Sequence, residues 1–113
     1  KMAKIITLPS GNTVTLRDPK TLRVKDRTKV FEAAANDEGA LAALSMTNGL
    51  IAVMVQEWSF DLIIPSVSIK SLQELEIPDY DKIAIEVNKA QSILFPDFTN
   101  DEDTDSPKDS LSA

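Results

Sequence analysis

The stretch EGALAALSMTNGLIAVMVQEW, residues Glu38–Trp58, decides the fold of this chain. Its large apolar residues recur at spacings of three and four, which is the period of one face of an α-helix. They are Leu41, Leu44, Ile51, Met54, Val55 and Trp58. Leu50 and Val53 widen this face until little of the helix can meet water. The stretch therefore predicts a central helix over residues 39–57, which the rest of the chain must cover.

Two other interpretations of this stretch are weaker. A membrane span needs about 18 or more consecutive apolar residues, whereas the longest unbroken apolar run here is Leu50–Val55. Methionines at helical spacing, such as Met46 and Met54, belong to a core far more often than to a cofactor site. Gly49 costs about 1 kcal/mol in a helix relative to Ala. Either a neighbouring backbone packs closely on it or the helix is interrupted there, and we favour one bent helix.

The composition limits the size of the fold and its chemistry. The chain has 113 residues, a net charge of -6 at pH 7, and neither cysteine nor histidine. This length suits one domain, and the missing residue types exclude thiol catalysis, disulfides, Ser-His-Asp sites and the usual zinc ligands. The N-terminus, KMAKIITLPSG, lacks the apolar segment of a secretory signal, so an intracellular location is expected.

Residues 4–17 predict an N-terminal β-hairpin. Apolar and more polar residues alternate on both sides of a Pro-Ser-Gly-Asn turn at residues 9–12, which tolerates positive φ. One face of the hairpin carries Ile6, Leu8, Val14 and Leu16. This apolar face must lie on the helices or meet a third strand. The outer edges offer backbone groups to a partner strand or a second copy, unless charges such as Lys4 and Arg17 protect them.

Residues 24–36 predict a helix of mixed polarity. The 3.6-residue period places five positions inward, namely Val24, Arg27, Thr28, Phe31 and Ala34 or Ala35. It places four outward, namely Lys25, Asp26, Lys29 and Glu32. A basic cluster, Arg23, Lys25, Arg27 and Lys29, invites a nucleic-acid interpretation. Since no aromatic residues are interleaved for stacking and the chain is acidic, we interpret the cluster as a solvated face or a patch that pairs with the acidic half of the protein.

After Trp58 the sequence SFDLIIPSVSI predicts an extended arm or short edge strand, because alternating residues lead into Pro65. This segment is the candidate third strand. The two aromatic residues at its start are expected to be buried anchors rather than a ligand platform. The arm is also the candidate partner-binding surface, which comprises Trp58, Phe60, Leu62, Ile63 and Ile64.

Residues 79–94 predict the last helix, after a capping box at Ser71–Glu74 that opens a short helical turn. Its inner stripe is Tyr80, Ile83, Ala84, Val87, Ala90, Gln91 and Leu94. Asp79 and Asp81 lie in the first turn, where the helix dipole favours negative charge. Residues two apart do not face one another on a helix, so we interpret this pair as capping rather than as metal ligands or an acid and base.

The elements together predict an α+β, mainly helical fold. A β-hairpin, with a possible third short strand, packs on a bundle of three to four helices in a single domain over residues 1–98. Residues 99–113, TNDEDTDSPKDSLSA, are acidic and Ser-rich and are predicted to be a disordered tail. No constellation of acid, base and nucleophile is visible, so we predict no enzymatic activity and no catalytic, cofactor or metal residue.

The order of motifs resembles one family of phage proteins. LPSGNTVTLRDP is followed by an Arg- and Lys-bearing helix, then by GLIAVMVQEWSFD, LQELEIPDYDKI and LFPDF. This succession, over residues 5–98, is similar to small proteins encoded beside the tape-measure gene of long-tailed (siphovirus-type) phages and prophages of Gram-positive bacteria. These proteins are described as tail assembly chaperones.

The resemblance implies a factor absent from the virion that binds the tape-measure protein in the host bacterial cytoplasm and keeps it soluble while the tail tube polymerises. This chain would be the short form, with the longer frameshifted form of itself as a second partner. A homo-oligomer is also open, whereas nucleic acid and membrane are not expected as partners. Two other function classes stay open, namely a structural tail or connector subunit and a regulatory module using the basic N-terminal third.

Overall fold

A computed structural model describes residues 3–95 of the 113-residue chain. The fold is α+β, as predicted: a three-stranded antiparallel sheet packs on helices. The apolar faces of both layers meet in one core, centred on side chains such as Val14, Ile51 and Ile83 that are fully buried. The predicted acidic tail, residues 99–113, lies outside the described residues.

The predicted hairpin is confirmed. β1 (Lys4–Thr7) pairs with β2 (Thr13–Leu16), and Gly11 in the turn between them has a φ of 96°. Only glycine adopts this φ at little steric cost, so the turn depends on that residue. The expected apolar face is buried, with relative exposures of 7% or less for Ile6, Leu8, Val14 and Leu16.

Helix α1 (Val24–Ala33) packs across helix α2 (Gly39–Met54) at Gly49. A Cβ built on Gly49 would lie 2.9 Å from the Cβ of Ala33 and 3.1 Å from the Cα of Val30. These distances are shorter than normal packing contacts, so only glycine allows the two backbones to approach this closely. α2 is one continuous helix through Gly49, and the close-packing interpretation of this glycine is confirmed.

The prediction that α1 extends to residue 36 is wrong, and so is much of its predicted orientation. Asp26, predicted to point outward, is 4% exposed, whereas the predicted inner residues Val24 and Phe31 are 73% and 53% exposed. Asp26 is buried because its carboxylate accepts the backbone N–H of Arg23 at 2.8 Å and pairs with the guanidinium of Arg17 at 3.4 Å. A charged side chain can lie in a core when such partners satisfy it.

The third strand lies earlier in the chain than predicted. β3 (Val55–Trp58) follows α2 directly, so the helix predicted over residues 39–57 ends at Met54. Residues 59–62 form bends, and residues 63–64 are irregular, so this segment is not a strand. β3 pairs antiparallel with β2, with Leu16 opposite Val55. Arg17 also donates its backbone N–H to the carbonyl of Met54 at 2.8 Å. Val55–Trp58 therefore form a strand because β2 offers them backbone hydrogen-bond partners. The spacing of three between Val55 and Trp58 also fits a helix, so the sequence pattern does not show this pairing.

The last predicted helix is divided in two. α3 (Ile77–Asn88) begins two residues before the predicted start, with Pro78 in its first turn, and α4 (Gln91–Leu94) follows a break at residues 89–90. The predicted inner stripe is largely confirmed, since Ile83, Val87, Ala90 and Leu94 are buried. Short 3₁₀ turns occupy Pro19–Thr21 and Ile69–Glu74. The second of these begins before Ser71, so the predicted capping box is wrong.

Candidate partner-binding surface

The predicted surface at residues 58–64 folds back on itself. The indole Nε1 of Trp58 donates to the carbonyl of Leu62 at 3.0 Å, and the rings of Trp58 and Phe60 meet edge to face with centroids 5.0 Å apart. Both rings are half-buried and pack against the core. Leu62 and Ile64 are also half-buried, which leaves only Ile63 of the five predicted residues exposed, at 60%.

Hydrogen bonds fix this segment to the turn of the hairpin. The hydroxyl of Ser59 accepts the backbone N–H of Thr13 at 2.9 Å and donates to Oδ1 of Asn12 at 2.8 Å. The backbone N–H of Ser59 donates to the carbonyl of Thr13 at 2.9 Å. The prediction of an extended arm is therefore wrong: the segment is a closed loop, and it offers a partner little apolar area beyond Ile63.

A larger apolar area lies on the N-terminal half of α2. The whole helix, GALAALSMTNGLIAVM, contains no charged residue. Its C-terminal half is buried, yet Leu41 and Leu44 are 57% and 44% exposed. The prediction that these two leucines face the core is wrong, because the neighbouring elements cover only the C-terminal half of α2. The missing charges in residues 39–54 were the sequence signal for this area, since an exposed helix turn usually carries charged residues.

A groove without charged residues adjoins the exposed half of α2. It encloses about 260 Å³ and is lined by Val30, Ala43, Met46, Thr47, Leu50, Asn88, Gln91 and Phe95. Next to it, the rings of Phe31 and Phe95 meet edge to face at 5.1 Å. The groove thus joins surfaces of α1, α2, α3 and α4 into one uncharged depression.

A second uncharged groove lies on the neighbouring face of α2 and encloses about 200 Å³. Its lining residues are Leu44, Asn48, Leu72, Gln73, Leu75, Ile77 and Tyr80. The hydroxyl of Tyr80 donates to Oδ1 of Asn48 at 2.6 Å, which satisfies the buried amide oxygen of Asn48. Burial and the nearby Asp81 carboxylate raise the pKa of Tyr80, so its hydroxyl stays protonated as the donor. We call residues 39–47, which are exposed or half-buried, together with these two grooves, the α2 surface.

Two carboxylates of the described part of the chain, those of Glu86 and Asp79, have structural roles. Glu86 accepts hydrogen bonds from Lys4, Lys89 and Lys82 at 3.0 to 3.1 Å, which lower the pKa of its carboxyl from 4.5 to about 2. This cluster fastens β1 to α3. Asp79 is 1% exposed, and its Oδ1 accepts the backbone N–H of Ser10 in the hairpin turn at 3.0 Å. Asp79 therefore holds the hairpin turn against α3. Residues 3–95 contain no group of three acidic, His or Cys residues that could hold a metal ion.

Comparison with protein-family models, curated proteins and solved structures gave no match. Within residues 3–95, no helix is long and apolar enough to span a membrane. The α2 surface is therefore defined by geometry and composition alone.

Proposed function

We propose that this protein is a short-form tail assembly chaperone of a long-tailed phage or prophage of a Gram-positive bacterium. In this role it binds the tape-measure protein in the host cytoplasm and keeps it soluble while tail-tube subunits polymerise. The observation that carries the proposal is the α2 surface, together with the order of motifs along residues 5–98. The role requires no enzymatic activity, nucleic acid or membrane.

The α2 surface has the composition needed to hold a long helical client. A helix exposed to water buries its apolar stripe most readily against another uncharged helical surface, with about 25 cal/mol gained for each Å² of apolar area removed from water. Leu41 and Leu44 lie three residues apart on one side of α2, where they can pack into the side-chain rows of a second helix. Binding would thus repeat the contacts of a helix bundle.

Acidic side chains border this surface. Glu38 precedes α2, and Glu74 and Glu76 flank Leu75 at the second groove, with all three exposed. Residues 30–69 as a whole contain five acidic and no basic residues. Negative charge around an apolar patch keeps the chaperone soluble and favours a client whose apolar stripe is flanked by lysine or arginine.

Co-expression with the tape-measure protein encoded beside this chain tests the proposal. We expect the wild-type chain to bring the client into the soluble fraction and to elute with it. Leu41→Lys combined with Leu44→Lys should abolish both effects, because the two charges would be desolvated in the complex. Ile85→Lys is the matched control, since Ile85 is 60% exposed on α3 and lines neither groove.

Two outcomes would refute the proposal. In one, the client stays insoluble with the wild-type chain, and the chain alone assembles into rings or tubes, which would assign it to the structural tail or connector subunits. In the other, the client is solubilised equally well by the double variant, which would move binding away from the α2 surface. A melting curve for each variant checks that folding is retained.

A further inference from the structure

A separate cavity lies where the end of α3 meets the sheet. It encloses about 260 Å³ and shares no lining residue with either groove of the α2 surface. Its walls come from β1, β2, the end of α2 and the end of α3. We call it the Glu86 pocket, after the carboxylate on its polar side.

The floor of the Glu86 pocket is apolar. Leu16, Met54 and Ala90 line it, and each has a relative exposure of 3% or less. An apolar group that fills the pocket is therefore removed from water against the edge of the hydrophobic core. Arg17 also lines the pocket, but its charge is already paired with the buried carboxylate of Asp26.

The polar side of the pocket has an excess of positive charge. Nζ of Lys4 and Nζ of Lys89 both donate to Oε1 of Glu86, at 3.0 and 3.1 Å. Nζ of Lys82 donates to Oε2 of the same carboxylate at 3.1 Å. The cluster thus joins three cations to one anion and has a formal charge of +2.

Lys4 and Lys89 keep hydrogen-bond donors for a further anion. An ammonium group has three donors, and within residues 3–95 each of these two makes one hydrogen bond, the one to Glu86. Because both bind the same oxygen atom, the two ammonium groups are neighbours and repel one another. Their side chains are 58% and 64% exposed, so an anion from solvent can reach both and accept charge-assisted hydrogen bonds from them.

The size and the polarity of the pocket define the class of ligand. A volume of about 260 Å³ lies below the range of about 300 to 1,000 Å³ that drug-sized ligands occupy, so the ligand is small. It needs a negative group for the two lysines and an aliphatic group for the floor. A carboxylate on a short aliphatic chain has both.

We propose that the Glu86 pocket binds a small aliphatic carboxylate. The carboxylate lies between the ammonium groups of Lys4 and Lys89, and the chain lies on Met54 and its apolar neighbours in the floor. A free short-chain acid and the C-terminal leucine of a peptide share this chemistry. The inference concerns a different site from the α2 surface and does not rest on the proposed function.

Titration of the full-length ¹⁵N-labelled protein with hexanoate in low salt tests the proposal. We expect saturable shifts confined to amides of the residues that line the pocket, above all Met54, Lys89 and Ala90. Acetate lacks the chain and hexan-1-ol lacks the charge, so each should bind about tenfold more weakly or worse. N-acetyl-leucine distinguishes the two sources: tighter binding than hexanoate assigns a peptide C-terminus, and weaker binding assigns a free acid.

Charge variants locate the binding site. Lys4→Gln with Lys89→Gln should weaken hexanoate binding about tenfold, because the carboxylate loses both donors. Lys25→Gln with Lys70→Gln is the matched control, since it removes the same net charge from two exposed lysines that do not line the pocket. Glu86→Gln should strengthen binding, because it removes the negative charge that competes for the two lysines. A melting curve for each variant checks that folding is retained.

Three results would overturn the inference. The first is the absence of saturable shifts at millimolar hexanoate. The second is binding of acetate or hexan-1-ol as tight as that of hexanoate, which would leave the pocket without one of its two roles. The third is an equal loss of affinity in the two double variants, which would reduce the effect to a general attraction between the anion and the net charge of the protein.

Discussion

The backbone N–H of Ser10 donates a 3.0 Å hydrogen bond to Oδ1 of Asp79, 69 residues further along the chain. This bond joins the hairpin turn to the first turn of α3 and so fixes the sheet against the helical layer. The second carboxyl oxygen of Asp79 is buried and has no hydrogen-bond partner among the described residues. Asp79 is therefore buried although only one of its two carboxyl oxygens accepts a hydrogen bond.

Asp79→Ala should lower the free energy of unfolding by about 1 to 3 kcal/mol, because it leaves the N–H of Ser10 without its acceptor. Asp79→Asn should cost less, since an amide oxygen can still accept the bond. Urea unfolding of the three proteins measures both differences. Equal stability of Asp79→Ala and the wild type would show that water replaces the carboxylate at Ser10.

Gly49→Ala should destabilise the protein although alanine is the better helix former. The gain in helix propensity is about 1 kcal/mol, whereas overpacking typically costs about 1 to 3 kcal/mol. The new Cβ would meet the Cβ of Ala33 and the backbone of Val30. Adding Ala33→Gly should recover part of the loss, and a double-mutant cycle by urea unfolding gives the coupling energy. Strict additivity of the two changes would contradict this packing.

The Glu86 cluster predicts a pH dependence. Because the pKa of this carboxyl falls from 4.5 to about 2 on folding, its stabilisation is present above about pH 5 and is lost as the pH falls towards 2. The exposed lysines limit the effect to on the order of 1 kcal/mol. Glu86→Gln should therefore be less stable than the wild type at neutral pH, and the difference should shrink in acid. A difference independent of pH would rule out the ion pairs as its source.

Trp58→Ala should destabilise the fold by about 2 kcal/mol, less than the 3 to 5 kcal/mol typical of a fully buried Trp or Phe, because the indole is half-buried. It removes the packing on Phe60 and the bond to the carbonyl of Leu62. Trp58→Phe keeps the ring contact with Phe60 and loses the hydrogen bond to Leu62. Its stability should therefore lie between that of Trp58→Ala and that of the wild type. Thermal melts that coincide for all three would show that this loop contributes nothing to stability.

Local patterns predicted the parts of the fold that local forces determine. The hairpin follows from alternation and from a turn with Gly11 at positive φ, and α3 follows from its apolar stripe. β3 could not be found in this way, because Val55 and Trp58 also fit the helical period. Its conformation depends on pairing with β2, which only the tertiary structure provides.

The candidate site was harder to predict than the fold. An apolar helix side chain is expected to be buried, but Leu41 and Leu44 extend beyond the elements that cover α2. Conversely, Asp26 was expected in solvent, and its burial is explained by the backbone N–H of Arg23 and the guanidinium of Arg17, both of which donate to its carboxylate. Which apolar residues stay exposed depends on the reach of the neighbouring elements, and this is a global property of the fold.

Hydrogen exchange of the chain alone, and of the chain mixed with the tape-measure protein that we propose as its client, tests the central claim most directly. We predict slower exchange on binding in residues 39–47 of α2, together with the residues lining its two grooves. Unchanged exchange there, with slower exchange confined to the loop at residues 58–64 or to β1, would contradict the assignment of the α2 surface as the client-binding site.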